Sequence, residues 1–381
     1  MKVLLLGEYS RLHNSLKEGL LANGCGVTLL GDGDGFKNYP CDISIQPKVF
    51  NNTLLKYLKL GLFKITGWDI TQLERGARFY FQLSNLRGFD VVQLINERPI
   101  KTYPSWERYL LKRVFKQNKK IVLLSCGADY ASISYALQHK EEVSILTPYF
   151  ENPNLKPYVD FALAYVKEPH EKTHHLVFEK CDAIIASDID YVAPLQHFWK
   201  FKGLIPNPVI LNEPSWEQEE KKGNIKIFLG INRGNYYTKG ISFFEEALQK
   251  IKKKYSKKVT ITKTENLPYA TYLSLLNDAD IIMDQVYSND QGYNALENMA
   301  LGKVVFTGAS KVFLDHYNIN EDEVCINAEP NVDYLVEKLS YLIENPSKIF
   351  EIGKNARQFI EREHHYKEVA KKYLVLYQSL P

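Results

Sequence analysis

The chain lacks paired cysteines. Its five, Cys25, Cys41, Cys126, Cys181 and Cys325, are scattered without a CxxC spacing, which argues against a zinc site or a disulfide framework and for reduced thiols. It also lacks charge of one sign: 48 Lys and Arg stand against 45 Asp and Glu, a net of +3, so a nucleic-acid partner is not expected. No window approaches the roughly 18 apolar residues of a membrane span. The apolar run in Met1-Lys2-Val3-Leu4-Leu5-Leu6-Gly7 is too short for an export signal and has no small-residue cleavage site. A cytoplasmic enzyme is the default expectation. Glycine is sparse after the first predicted strand, where Gly7-Glu8-Tyr9-Ser10 does not make the GxGxxG fingerprint of nicotinamide or flavin enzymes. Asp32-Gly33-Asp34-Gly35 opens like a calcium loop but lacks its closing glutamate and flanking helices, so a solvated turn is predicted. The 25 tyrosines are spread along the chain and form no stacking platform.

At 381 residues the chain is long for one core, and two domains are the natural prior. Continuous aliphatic runs at Val3–Leu6, Val27–Leu30, Asp90–Ile95 and Lys120–Leu124 read as strands of a parallel sheet covered on both faces. Leu12, Leu16 and Leu20 mark a helix between the first two, and Trp106, Tyr109, Leu110, Val114 and Phe115 mark one between the last two. Lys112, Arg113, Lys116, Lys119 and Lys120 crowd that second helix. They read as a solvated face or, more sharply, as a patch that meets anionic lipid or an anionic acceptor.

Asp129 follows the strand ending at Leu124, where doubly wound sheets hold ligands, yet aspartate there is equally a helix N-cap. Pro148, Pro153, Pro157 and Pro169 predict a loop-rich stretch. His170-Glu171-x-x-His174 has the zinc-protease spacing, but Pro169 directly precedes it and nothing singles out a third ligand. Cys181–Ser187 reads as a strand, and Ile205-Pro206-Asn207-Pro208-Val209 as a domain junction. The charged run Glu217–Lys222 reads as a linker.

A second cycle begins with the strand Ile225–Gly230. It leads through a loop holding Arg233 and Lys239 into a helix carrying Phe243, Phe244, Ala247, Leu248 and Ile251. A strand at Ala279–Gln285 precedes the block around which the chain is organised, Gly292-Tyr293-Asn294-Ala295-Leu296-Glu297-Asn298-Met299-Ala300-Leu301-Gly302-Lys303-Val304-Val305. A glycine opens a short helix there, a second closes it, and a strand follows. The unpaired N–H groups of such a helix start attract phosphate. Asn294 and Glu297 also have capping-box spacing, with Asn294 at N-cap and Glu297 at N3. Glu323–Ile326 is the last predicted strand, and Ile349–Tyr377 reads as one long helix or two broken near His364-His365-Tyr366.

These residues resemble a GT-B glycosyltransferase of the retaining type, similar to glycosyltransferase family four and its group 1 C-terminal domain. The resemblance rests on Arg233 with Lys239-Gly240, which resemble a diphosphate-binding pair, and on Asn294–Val305, which resembles the E-A-M-A-x-G-x-P-V signature. Cys126-Gly127-Ala128-Asp129 resembles an acceptor-side G-x-D loop, and Pro206-Asn207-Pro208-Val209 an interdomain N-P-V turn. Three positions depart from the pattern: Asn289 stands where the first of two paired glutamates is expected, Asn298 where an alanine is, and Lys303 where the proline is.

The resemblance implies an α/β fold of GT-B architecture, two Rossmann-like domains with parallel sheets facing across a cleft. An acceptor-side domain is expected over 1–205 and a donor domain over 206–360, with a C-terminal helix at 361–381 packing back on the first. The implied reaction moves a sugar from a nucleotide-diphosphate sugar to a hydroxyl of a glycan or lipid-linked acceptor, with retention and without metal or other cofactor. Cell-surface glycan or polysaccharide synthesis is the implied setting, in the cytoplasm or peripherally at the inner membrane surface. Arg233, Lys239 and Asp129 are the implied catalytic residues. Glu297 would bind ribose, and the backbone N–H groups of Asn294, Ala295 and Leu296, with Gly292 and Tyr293, would take a phosphate. Gly7 and Ser10 would close over the diphosphate from the other domain. A non-catalytic nucleotide-sugar-binding relative and a non-hydrolysing sugar-nucleotide epimerase are the alternatives.

Overall fold

The computed structural model describes residues 1–50, 69–211, 223–265 and 269–381, with residues 55, 59, 61, 64, 65 and 267 between them. The predicted linker Glu217–Lys222 lies outside the described residues. Strands β1 (Lys2–Leu6), β2 (Gly26–Gly31), β3 (Ile43–Ser44), β4 (Val91–Leu94), β5 (Lys120–Ser125), β6 (Ala183–Ala186) and β7 (Phe201–Leu204) form a first parallel sheet ordered β3-β2-β1-β4-β5-β6-β7. Strands β8 (Ile225–Ile231), β9 (Val259–Glu265), β10 (Ile281–Met283), β11 (Val304–Thr307) and β12 (Ile326–Asn327) form a second, ordered β12-β11-β10-β8-β9. The buried faces of the central strands explain the unbroken aliphatic runs: Val3, Leu4, Leu5 and Leu6 are wholly inaccessible, as are Val122, Leu123 and Leu124.

Strand order reverses between β1 and β4 in the first sheet and between β8 and β10 in the second. In open α/β sheets a crevice forms outside the carboxyl ends of strands at such a switch point. The loops leaving β1, β8 and β10 are therefore the ones positioned to meet a ligand.

The chain crosses between the two sheets twice. Val209 N donates to His364 O at 2.7 Å and Tyr366 N to Val209 O at 3.2 Å, so the two crossings are bonded side by side. His364 Nδ1 reaches Asn207 O at 2.8 Å. The break foreseen near His364 is real: the helix Pro346–Phe359 loosens into a π-turn over Ile360–His364 before the helix Tyr366–Ser379 begins. That last helix packs on the helix Leu12–Ala22, and Tyr373 and Tyr377 share a core with Leu12, Leu16 and Val122. The approach is close enough to require Gly19, where a Cβ would meet Tyr366 O at 2.3 Å.

Three expectations need correction. The proline-rich stretch is helical, over Thr147–Glu151, Lys156–Leu163 and Glu168–Lys180, with Pro148, Pro157 and Pro169 in the first turns. A first-turn proline lacks only an N–H that has no intrahelical partner anyway. The last strand is Ile326–Asn327, not Glu323–Ile326. Asp32 is not solvated: it is 7% exposed and ion-paired with Lys101 Nζ at 3.0 Å.

Candidate active site

The helix of the Gly292 block runs from Tyr293 to Ala300 with Gly292 as its N-cap. Its internal bonding begins where Leu296 N donates to Gly292 O at 3.1 Å. The three N–H groups ahead of that bond belong to Tyr293, Asn294 and Ala295, all expected at the phosphate, whereas the N–H of Leu296, expected there too, is taken by the helix. The capping-box spacing of Asn294 and Glu297 is not used, because the helix starts two residues earlier. Asn294 Nδ2 instead donates to Asp284 Oδ1 at 2.9 Å. Tyr293 points inward, its hydroxyl bonded to Ser15 Oγ of the first domain and donating to Pro208 O at 2.6 Å.

Asp284, at the end of β10, gathers this region. Its side chain is almost wholly buried and takes Lys239 Nζ at 2.9 Å on the oxygen that also receives Asn294. One carboxylate thus ties the Lys239 loop to the start of the phosphate-attracting helix, bringing together residues 55 positions apart in sequence (239 and 294). Arg233 is placed differently. Its guanidinium makes a two-pronged pair with Glu265 at 2.8 and 2.6 Å and stacks on Tyr236. Both side chains are about half exposed, so water screens the pair.

Glu297 lies one turn into the helix, half-buried, with no hydrogen-bonding partner among the described residues. Burial raises its carboxyl, while Arg11 and Lys37 of the first domain pull it down. These two cations were missed by the sequence reading. The loop that carries Arg11 also holds Gly7 and Ser10, and positive φ angles at Gly7, Ser10 and Arg11 turn it sharply. Lys37 Nζ donates to Ser10 Oγ at 2.9 Å, and Ser10 N to Asp34 Oδ2 at 2.8 Å. Glu8 is wholly buried beside them. Its Oε2 accepts from Asn14 N and Nδ2, its Oε1 has no partner, and burial pushes its carboxyl up to about 7. His13 is neutral for the same reason: burial drives its imidazole down to about 3.

Asp129 is used as a cap. Its Oδ1 accepts from Ser132 N at 2.7 Å, its Oδ2 from Ser125 Oγ, and Asp129 N donates in turn to Ser132 Oγ. Both carboxylate oxygens are engaged. The zinc-protease spacing gathers no site: His174 Nδ1 bonds Glu97 at 2.6 Å and its ring stacks on Tyr130, while His170 lies against Tyr165. Asn289 faces the other domain, where Asp190 Oδ1 accepts from its N at 3.0 Å and its Nδ2 at 2.9 Å. A glutamate at 289 would set two carboxylates against each other, which explains the departure from the expected pattern physically.

Residues 238–375 match the family described as glycosyl transferase-like. No curated protein sequence matches the chain. Sucrose-phosphate synthase from Thermosynechococcus elongatus superposes with a TM-score of 0.60 at 15% identity, over 99% of this chain and 98% of that one. Anabaena Alr3699/HepE, solved with UDP and glucose, superposes with a TM-score of 0.60 at 11% identity over all of both chains. The fold is GT-B. UDP-GlcNAc 2-epimerase from Neisseria meningitidis, bound to UDP-GlcNAc, shares the GT-B architecture at 13% identity, with a TM-score of 0.50 over 99% of each chain. Among the described residues no helix is long and apolar enough to cross a membrane.

Proposed function

We propose that this protein transfers a glycosyl group from a nucleotide-diphosphate sugar to a hydroxyl acceptor, with retention and without a metal ion. The carrying observation is the cluster around Asp284, in which Lys239 and the open N–H groups of Tyr293, Asn294 and Ala295 converge at a switch point, next to Glu297 and opposite Arg11 and Lys37. The N–H groups and Lys239 bind the diphosphate, and Arg233 joins them by leaving Glu265. These charges stabilise the leaving diphosphate, the kind of preorganised electrostatics that dominates many transfers. Glu297 accepts hydrogen bonds from the ribose hydroxyls.

In the transfer the acceptor oxygen forms its bond to the anomeric carbon on the face from which the phosphate oxygen departs, and the acceptor's proton passes to that oxygen. The glycosyl transferase-like match over 238–375 supports the transfer, and the UDP bound in Anabaena Alr3699/HepE supports a uridine diphosphate donor. Glycan or polysaccharide assembly, on a glycan or lipid-linked acceptor, fits this chemistry. The exposed Lys112, Arg113 and Lys116 beside Tyr109 supply a face for anionic lipid at the inner membrane surface.

Calorimetry against UDP and GDP, followed by incubation with nucleotide sugars, tests the reading. Binding of a diphosphate that weakens in Lys239→Ala and Glu297→Ala, together with release of nucleotide, supports it. Isomerised donor without release favours an epimerase, for which Glu8, held near neutrality with one open oxygen, is the candidate proton carrier. Binding without turnover favours a non-catalytic relative.

A further inference from the structure

The loop from Val286 to Gln291 runs directly into the helix start at Gly292, so a group esterified to a phosphate there falls against this loop. Opposite it stands the turn Ile189–Tyr191, which follows β6 in the first domain. One carboxylate joins the two: Asp190 Oδ1 takes both donors of Asn289, and its Oδ2 takes Ser288 Oγ at 2.7 Å. A bond in the other direction, from Ile189 N to Asp290 Oδ2 at 3.0 Å, completes the contact.

Asp190 and Asn289 also line a cavity of about 460 Å³ between the domains, with Gly127 and Ala128 after β5 on one side and Tyr287 on the other. That volume lies in the range of small-ligand sites. Apart from its tyrosines, the remaining ionisable groups of the wall are His139 and Glu142. His139 stacks on Tyr135, and Glu142 accepts from the Tyr135 hydroxyl at 2.9 Å. Asp190 is thus the wall carboxylate that is bonded to the loop running into the helix start.

Two more carboxyls crowd it. Burial raises all three carboxyls, Asp188 well above the usual range and Asp290 to about 7, and the hydrogen bonds from Ser288 and Asn289 offset part of that rise at Asp190. Of the three, Asp190 has the most donors, and donors favour the charged form of a carboxyl. Its Oδ1 holds two donors, but Oδ2 holds one and has a lone pair to spare. A charged acceptor of this kind suits vicinal sugar hydroxyls.

We propose that Asp190, fixed in place by Asn289 of the opposite domain, reads the transferred sugar by accepting hydrogen bonds from its hydroxyls. The proposal rests on the function proposed above and adds to it a specificity-determining residue. It also makes sugar reading dependent on domain closure, since the carboxylate and the amide that holds it come from different domains.

The test is calorimetry of the full chain with UDP, UDP-glucose, UDP-galactose and UDP-N-acetylglucosamine, together with thermal unfolding. Asp190→Asn is expected to bind UDP within about twofold of the parent, while the spread of affinities among the three sugars shrinks about tenfold, as for loss of a charged hydrogen bond. The exchange Asp190→Asn/Asn289→Asp restores a complementary pair. It is expected to recover the melting midpoint but not the parent's order of sugar preference. An unchanged spread in Asp190→Asn, or recovery of midpoint and preference together in the exchange, reduces Asp190 to an interdomain latch and overturns the proposal. So does a parent that binds UDP but shows no preference among the sugars. A parent that binds none of the four ligands overturns the functional reading itself.

Discussion

The two joints where a strand hands over to a helix at a switch point are built in opposite ways. After β1, the loop from Gly7 to Arg11 buries its chemistry: Glu8 and His13 are inaccessible, and His13 bonds Gly7 O at 2.8 Å and Gln93 at 3.2 Å. After β8, the loop from Asn232 to Gly240 exposes it: Arg233 and Glu265 are about half open, and Lys239 is about a third open. The first joint is preformed and costly to disturb, whereas the second consists of pairs that a phosphate can exchange. Variants of the first should therefore move stability and its pH dependence, and variants of the exposed Arg233–Glu265 pair of the second should move ligand affinity alone.

The largest effect is expected at Glu8. Its carboxyl stands at about 7 in the folded chain against an ordinary 4.5, so the folded state keeps a proton that the unfolded state has released between those values. This stabilisation is complete below about pH 4.5 and is lost as pH rises through 7, a change of about 3 kcal/mol. Urea unfolding of the parent and Glu8→Gln at pH 5 and pH 8 should show the parent losing ground to the variant by that amount. Parallel losses would mean that the first joint does not carry the difference. Asp290 also titrates near 7, but it is common to both proteins and cancels.

Next comes Lys239→Ala, for which UDP affinity should fall about 100-fold, the scale of a truncated charge contact, and the melting midpoint should fall as well, because Asp284 stays buried without its cation. A fall in midpoint without a change in affinity would make the lysine a strut of Asp284 instead. Arg233→Ala should cost less, about tenfold, because its guanidinium must first leave Glu265. The smallest expected effect has the opposite sign: Glu265→Gln frees Arg233 and should tighten UDP about threefold at low salt, with the gain shrinking as salt rises. Weaker binding in Glu265→Gln would show that the carboxylate positions Arg233 and does not compete for it.

Much of the fold was legible because buried parallel strands write themselves as aliphatic runs. Val3–Leu6, Lys120–Leu124 and Ile225–Gly230 all lie in the strands that the runs foretold. The edge strands β3 and β7 were not, since Ile43–Ser44 is two residues long and Phe201–Leu204 is only partly buried. The helices around Pro157 and Pro169 were hidden because proline breaks a helix interior but suits its first turn.

The candidate site divides in the same way. Lys239, Asn294 and Glu297 stand at strand ends or a helix start and could be read locally. Arg11, Lys37, Glu265 and Asp190 could not, because their partners lie 32 or more residues away: Arg11 and Lys37 face Glu297, Glu265 is 32 residues from Arg233, and Asp190 is 99 from Asn289. No local period encodes such a meeting. One signal was available for Arg11: a cation in the loop after β1 is suited to face the other sheet of a two-sheet chain.

The helix Tyr366–Ser379 has a consequence for how the protein comes to be made. Tyr373 and Tyr377 complete the core under β1 and β5, and Lys120 Nζ closes on Tyr377 O and Leu380 O at 3.0 and 2.7 Å. During synthesis the first two hundred residues leave the ribosome long before this helix does. Until it arrives, one face of the first sheet is covered only in part, by Leu12, Leu16 and Leu20, and the rest is open to chaperones or to another nascent chain. The second domain has to be translated in full before the first can close its core.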